Sequence, residues 1–397
     1  MKIQSKSLAV LVLSITAIAF PLIPQFPLFS TDEPCMISLK ENEIQRSTEA
    51  KKLELKRAGI KLLDVTKQYK NLLFPENDHL FLNEDSSTPI VLAKPVPLYN
   101  YPNKTGFHPK EVQSLISEID TEKLYTNLKE FSGFHSRYYK SERFMESSVW
   151  LYDKLISMVT LADNYNLTIF DHGSFPQPSY IFTINGSSDD QNTIVIGCHA
   201  DSINLLWPQV LAAPGADDDG SGVVTVLETL RIITDNHLTF ENTIEFHFYA
   251  AEEGGMLGSL DIFSTYSSLS NKKIVAMLEQ DMTGYSAKSL EKGYPEHFGI
   301  ITDYTSFWLS EFVKDVIDDY CSIPYLETEC GYACSDHYSA MINGFPSSFV
   351  TESKFGLDSP YIHTTQDTIE KLSFLHIAEH VKLCLGYVYE LGNFTGF

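Results

Sequence analysis

The chain has 397 residues, 43% of them hydrophobic, which suffices for one large domain with a buried core plus additional segments. Its formal net charge of −23 at pH 7 argues against nucleic acid or an anionic membrane surface as a partner, since both would repel it. Six cysteines are compatible with an oxidising compartment and some disulfide bonding.

The chain opens on Lys2 and Lys6, an apolar run over 8–20 and then Pro21, the layout of a secretory signal peptide over residues 1–20. The expected location is therefore extracellular, and the Asn-x-Ser/Thr triplets at Asn103, Asn166, Asn185 and Asn393 are candidate glycosylation sites on that route. No later stretch offers the roughly 18 consecutive apolar residues of a membrane span, so no membrane association is expected once the signal is removed. Residues 21–100 read as a prosegment and linker, with a permanent N-terminal subdomain as the alternative. Within them residues 40–73 carry Leu53, Leu55, Ile60, Leu63 and Val65 at helical spacing, which predicts a small helical unit. Residues 75–109 are rich in proline, with Pro89, Pro95, Pro97 and Pro102, and read as an extended linker.

The main domain, 101–397, alternates helices with apolar strands. The pattern predicts helices over 143–165, 222–233, 256–269, 307–320 and 375–391. Strands are expected over 180–184, 193–198, 243–250, 274–279, 298–302 and 347–350. Continuous apolar strands between helices imply a mostly parallel sheet covered on both faces, an α/β fold with three α/β/α layers.

In such sheets the ligand crevice lies beyond the carboxyl ends of the strands. His199 and Asp201 follow one predicted strand, Glu252 and Glu253 follow another, and Asp281 follows a third; Asp217, Asp218 and Asp219 precede Gly220-Ser221-Gly222 at a helix start. Each of these groups alone has an ordinary reading, the aspartate triplet as a helix N-cap and the others as solvated strand ends. Together they bring several carboxylates and a histidine to one rim. That donor set suits two metal ions about 3.5–4 Å apart sharing a carboxylate better than it suits one.

The segments His199-Ala200-Asp201, 214–222, 250–254, 280–283, 330–337 and Ile362-His363-Thr364-Thr365 resemble the co-catalytic di-zinc aminopeptidases, in particular bacterial leucyl aminopeptidases and secreted fungal leucine aminopeptidases. The resemblance runs in order over residues 107–391. It implies a zinc exopeptidase fold for residues 101–397, two Zn²⁺ per chain and peptides as substrates, with large apolar N-terminal residues preferred and the chain acting as a monomer. Carried onto this sequence, it makes Asp218 the shared ligand, with His199 and Asp281 on one ion and Glu253 and His363 on the other. Asp201 would orient His199. Glu252 would be the general base that takes the proton of a zinc-bridged water and passes it to the leaving amine. The resemblance places Tyr332, Met282, Ile301, Phe349, Phe355 and Ile362 around the substrate's first side chain, and pairs Cys330 with Cys334, whose short spacing itself suggests a loop-closing bridge. Thr351 and Asp358 fall in the same region yet are polar. For Cys198, Cys321 and Cys384 a buried thiol and a bridge both stand, and Cys35 is unassigned.

Other motifs compete. His376-Ile377-Ala378-Glu379-His380 spells H-x-x-E-H, but Ile377, Val381, Cys384 and Val388 form an apolar stripe that reads as a packing helix. Gly220-Ser221-Gly222 lacks the G-x-S-x-G elbow of a serine hydrolase. A glutaminyl cyclase or carboxypeptidase on the same fold, and a receptor-like relative without catalysis, are the alternative functions. The first would bind one zinc, the second would present arginine to a carboxylate, and the third would have lost ligands.

Overall fold

The computed structural model describes residues 33–40, 43–69, 93–269 and 271–397. The expected signal peptide and the stretch 75–92 of the expected linker lie outside the described residues.

The eight-stranded sheet comprises β4 (Tyr165–Phe170), β5 (Ser179–Ile184), β6 (Asn192–His199), β7 (Thr243–Tyr249), β8 (Lys273–Gln280), β9 (Phe298–Ile301), β10 (Tyr325–Thr328) and β11 (Ser347–Thr351), in the order β10-β9-β11-β8-β6-β7-β5-β4. The central strands β7, β6, β8 and β11 run parallel, as do β9 and β10; β4, β5 and the β11–β9 junction are antiparallel. Every residue of β6 is buried, and its side chains alternate between two cores. Ile194, Ile196 and Cys198 face the larger one, while Val195 packs with Ile181, Met277, Ile262 and Phe263 on the other side.

The helices are α1 (Glu49–Arg57), α2 (Pro109–Ile116), α3 (Thr121–Phe131), α4 (Phe144–Val159), α5 (Gly220–Asp235), α6 (Leu257–Ser268), α7 (Ala287–Glu291), α8 (Phe307–Tyr320), α9 (His337–Ile342) and α10 (Phe374–Gly392). Apolar residues of α2, α3, α5, α8 and α10 cover one face of the sheet, and those of α6 and α9 cover the other. The three-layer α/β/α expectation stands.

Three expectations need correction. The 143–165 helix ends at Val159, and Tyr165 instead opens β4, whose alternating burial marks it as an edge strand on β5. Strand β10 and helices α2 and α3 had not been anticipated. The supposed helical unit over 40–73 is instead a three-stranded antiparallel sheet of β1 (Pro34–Lys40), β2 (Glu43–Thr48) and β3 (Leu63–Asp64) with one helix, α1. The apolar spacing misled because α1 buries Lys52 and Lys56 rather than its leucines, while Leu63 and Val65 belong to a strand edge that packs on Met256 and Leu260.

His376 and His380 lie on α10 as structural residues. His376 Nδ1 is 2.8 Å from Glu296 Oε1, and His380 Nδ1 is 2.7 Å from Gln280 Oε1. The H-x-x-E-H letters therefore belong to a packing helix, as the apolar stripe indicated.

Candidate metal centre

Strands β6 and β7 pair in parallel with His199 opposite Tyr249, and β8 ends one residue before Asp281, so three strand ends deliver their following residues to one rim. Beyond β7 the chain turns sharply: Ala251 takes φ +56°, a left-handed conformation costly for a non-glycine residue, and presents Glu252 and Glu253 in a single 3₁₀ turn. His363, at φ +60°, enters from the loop after β11. Asp218 comes from the loop before α5.

Asp218 stands between two sets of donors. Its Oδ1 is 3.0 Å from His199 Nε2 and its Oδ2 is 2.9 Å from His363 Nε2. Asp281 Oδ1 lies 3.7 Å from His199 Nε2, and Glu253 Oε1 lies 3.1 Å from His363 Nε2. On grounds of proximity His199, Asp219 and Asp281 form one group of possible ligands, and Asp218, Glu253 and His363 a second, each with its ligand atoms within 4.8 Å of one another. Asp219 is otherwise engaged: its Oδ2 accepts from His199 N and its Oδ1 caps α5 by accepting from Gly222 N. Asp218 has no such commitment. The triplet thus divides, one aspartate capping the helix and its neighbour facing both histidines.

The donors fit metal ions. His199 Nε2, His363 Nε2 and Glu253 Oε1 are buried without a hydrogen-bond partner among the described residues, and imidazole with carboxylate is a donor set that suits zinc. Burial alone would raise the Asp218 and Glu253 carboxyls, but the adjacent His363 and, for Asp218, His199 outweigh it and hold both well below the usual range. Burial likewise works against charge on His363, yet Glu253 and Asp218 push it up to about 10. The carboxylates that favour positive charge on these imidazoles would equally favour bound cations. Glu252 differs. Burial raises it, Lys61 and Lys56 oppose that, and Oε2 has no hydrogen-bond partner among the described residues.

Asp201 does more than was expected of it. It approaches His199 Nδ1 at 3.4 Å, and its carboxylate also accepts from Glu252 N at 2.9 Å and Glu253 N at 3.2 Å, tying the β6 and β7 ends together.

Several supporting residues were not anticipated. Arg137, fully buried, donates from Nε to Ala200 O, from Nη1 to Pro214 O and from Nη2 to Gly215 O, and lies 4.3 Å above the Phe131 ring. Burial pulls its pKa down to about 10 against the charges of Asp367 and Asp201, and its hydrogen bonds join the two loops carrying His199 and Asp218. Asp367 accepts from both Asp217 N and Asp218 N. Burial and the neighbouring Glu352 raise Asp217 well above the carboxylate range, and burial raises Glu352 to about 8. Nothing in the local sequence around Arg137 or Asp367 marks these roles.

The N-terminal unit also reaches the rim. Lys56 Nζ, nearly buried, pairs with Glu253 Oε2 at 2.9 Å. Lys61 Nζ lies 3.8 Å from Glu252 Oε1 and donates to Cys334 O at 2.9 Å. Arg57 donates to Leu205 O and Leu206 O, and Lys67 pairs with Asp261.

Beside the rim, one cavity is lined by all six expected pocket residues, Tyr332, Met282, Ile301, Phe349, Phe355 and Ile362, together with Asp218, Asp281, Lys61, Thr351, Ser353 and Asp358. Cys330 and Cys334 are disulfide-bonded and line it as well, whereas Cys35, Cys198, Cys321 and Cys384 are free thiols. The Tyr332 ring meets Phe355 edge-on at 6.0 Å. Of the four sequon asparagines, Asn103, Asn166 and Asn185 are exposed, and Asn393 is half-buried with its amide on Tyr389 O.

Comparison with known proteins identifies the family. Residues 179–388, which hold both donor groups, match the model of Peptidase family M28. The chain belongs to peptidase family M28. A probable aminopeptidase of Saccharomyces cerevisiae is 45% identical over 91% of this chain and 93% of its own length. Leucine aminopeptidase 1 of Ajellomyces dermatitidis is 44% identical over 90% of this chain and 89% of its own. The LapA aminopeptidase structure of Legionella pneumophila superposes with a TM-score of 0.75 at 26% identity, over 91% of this chain and 94% of that one. An M28 peptidase with these relatives is a hydrolase of the aminopeptidase kind. Among the described residues no helix is long and apolar enough to cross a membrane.

Proposed function

We propose that this M28 chain is a secreted, monomeric, two-zinc aminopeptidase that removes single residues, large apolar ones foremost, from peptide N-termini. The observation that carries the reading is Asp218 facing both histidines between two donor groups, with Glu252 buried beside them and its Oε2 without a hydrogen-bond partner among the described residues. His199, Asp218 and Asp281 would hold one ion, and Asp218, Glu253 and His363 the other. Bound zinc would polarise the scissile carbonyl and lower the pKa of the attacking water.

The chain's own residues supply the rest. Glu252, whose pKa burial raises, takes the water's proton and delivers it to the leaving amine. Asp201 fixes the backbone of Glu252 and Glu253 relative to His199. Tyr332, Met282, Ile301, Phe349, Phe355 and Ile362 enclose the first side chain. Two donor groups favour this reading over a one-zinc glutaminyl cyclase, and among the described residues no arginine lines the cavity to receive the carboxylate of a carboxypeptidase substrate.

The N-terminal unit is proposed to restrain the enzyme until it is removed. Lys56 and Lys61 place ammonium groups against Glu253 and Glu252, where substrate must enter.

Zinc content and cleavage of aminoacyl-p-nitroanilides, before and after chelation, test the reading together. Two zinc ions per chain and activity that disappears with chelator and returns with zinc are expected. Full activity in metal-free protein would contradict it.

A further inference from the structure

The cavity beside the metal centre is not uniformly apolar. Tyr332, Phe355, Met282 and Ile362 form walls suited to an aliphatic stem, but Thr351, Ser353 and Asp358 line the same space. The Ser353 hydroxyl is buried and has no hydrogen-bond partner among the described residues. Asp358 is half-buried, and its one hydrogen bond among the described residues comes from Gly356 N to Oδ1. No lysine, arginine or histidine among the described residues forms an ion pair with it; Lys61, which lines the same cavity, is held instead at Cys334 O and Glu252. A leucine side chain covering that carboxylate would strip water from a charge and return nothing.

We propose that Asp358 is a specificity-determining residue and that the pocket takes first residues with a long aliphatic stem and a cationic end, lysine and arginine, alongside leucine. The stem lies along the wall that Tyr332 and Phe355 form together, as the methylene chains of lysine and arginine do along apolar surfaces, and the cation meets Asp358. This inference rests on the aminopeptidase reading and deepens it.

The test uses the full, zinc-loaded chain with leucyl-, norleucyl-, lysyl- and arginyl-p-nitroanilide. Ratios of kcat/KM between substrates cancel whatever fraction of molecules has the N-terminal unit docked. Norleucine supplies the lysine stem without the charge. Lysyl and arginyl substrates should be cleaved within about tenfold of leucyl, and Asp358→Asn should lower their kcat/KM by about 10- to 100-fold, chiefly through KM. The leucyl and norleucyl values should stay within about threefold. Rescue by Asp358→Glu, but not by Asp358→Leu, would support the charge contact. Leucyl cleavage without lysyl or arginyl cleavage overturns the proposal and leaves the aminopeptidase reading intact. Equal losses on all four substrates in Asp358→Asn also overturn it, because Asp358 would then serve the common α-amine. If the wild-type chain cleaves none of them, the parent reading and this one fall together.

Discussion

Replacing Lys56 tests the proposed restraint at its most buried contact. The Lys56 and Glu253 side chains are 5% and 1% exposed and meet at 2.9 Å, so the pair is screened little by solvent. With zinc present Glu253 would not be left unpaired, so the full cost of about 3–5 kcal/mol for breaking a buried pair does not apply. The loss of a charged hydrogen bond, about 1.5–3 kcal/mol, is the better measure. At about 1.4 kcal/mol per decade, that shifts docking of the N-terminal unit by roughly 10- to 100-fold. Lys61 is 19% exposed and 3.8 Å from Glu252, so its share is smaller, a few-fold at most. Lys56→Met keeps the stem and removes the charge. The assay is kcat/KM on leucyl-p-nitroanilide for uncleaved chains checked by intact mass, beside chain cleaved between the N-terminal unit and residue 93. Lys56→Met should be about 10- to 100-fold more active than the uncleaved wild type, and the double variant with Lys61→Met should approach the cleaved enzyme. Equal kcat/KM in uncleaved wild type, both variants and cleaved chain would refute the restraint.

Two further outcomes follow from buried charges. Arg137→Met strips three carbonyls of their donor, at a cost of about 3–5 kcal/mol, so Tm should fall by roughly 10 °C with weaker zinc binding, and Arg137→Lys should restore little; a Tm within a degree of wild type would remove Arg137 from the account. Burial would raise Glu245, but the hydrogen bond from His247 and the charge of Lys272 bring it from 4.5 to about 2. A depressed carboxyl stabilises the fold above its unfolded pKa and loses that contribution as pH falls through the folded one, a span here of 4.5 down to about 2. Urea unfolding should show Glu245→Gln less stable by about 3 kcal/mol at pH 7, with the gap narrowing at pH 3; a gap unchanged with pH would contradict the linkage.

Much of the site was legible because its chemistry follows the chain. His199 closes β6, Asp281 directly follows β8, and Glu252 and Glu253 come three and four residues after β7, and apolar runs are enough to locate strand ends. His363 had no such anchor and came only from the resemblance. Arg137 was invisible for a physical reason: its partners are backbone carbonyls of Ala200, Pro214 and Gly215, which carry no side-chain signature. The N-terminal unit was misread because apolar periodicity assumes that the buried face of a helix is hydrophobic, and α1 turns Lys52 and Lys56 inward toward carboxylates. Edge strands β4 and β10 were missed because half-exposed strands lack the continuous apolar runs of β6 and β8.

The central claim is that two adjacent glutamates divide the labour, Glu253 as metal ligand and Glu252 as general base. Zinc quantification beside steady-state kinetics on Glu253→Ala and Glu252→Gln tests it most directly. Glu253→Ala removes a group that faces His363 at 3.1 Å, so it should lose zinc from one site, with activity falling in step. Glu252→Gln keeps shape and cannot take the proton; it should retain both ions and a nearly unchanged KM while kcat drops by about 10²–10⁴-fold. Zinc lost from Glu252→Gln and kept by Glu253→Ala would reverse the assignment, and a nearly fully active Glu252→Gln would contradict the mechanism.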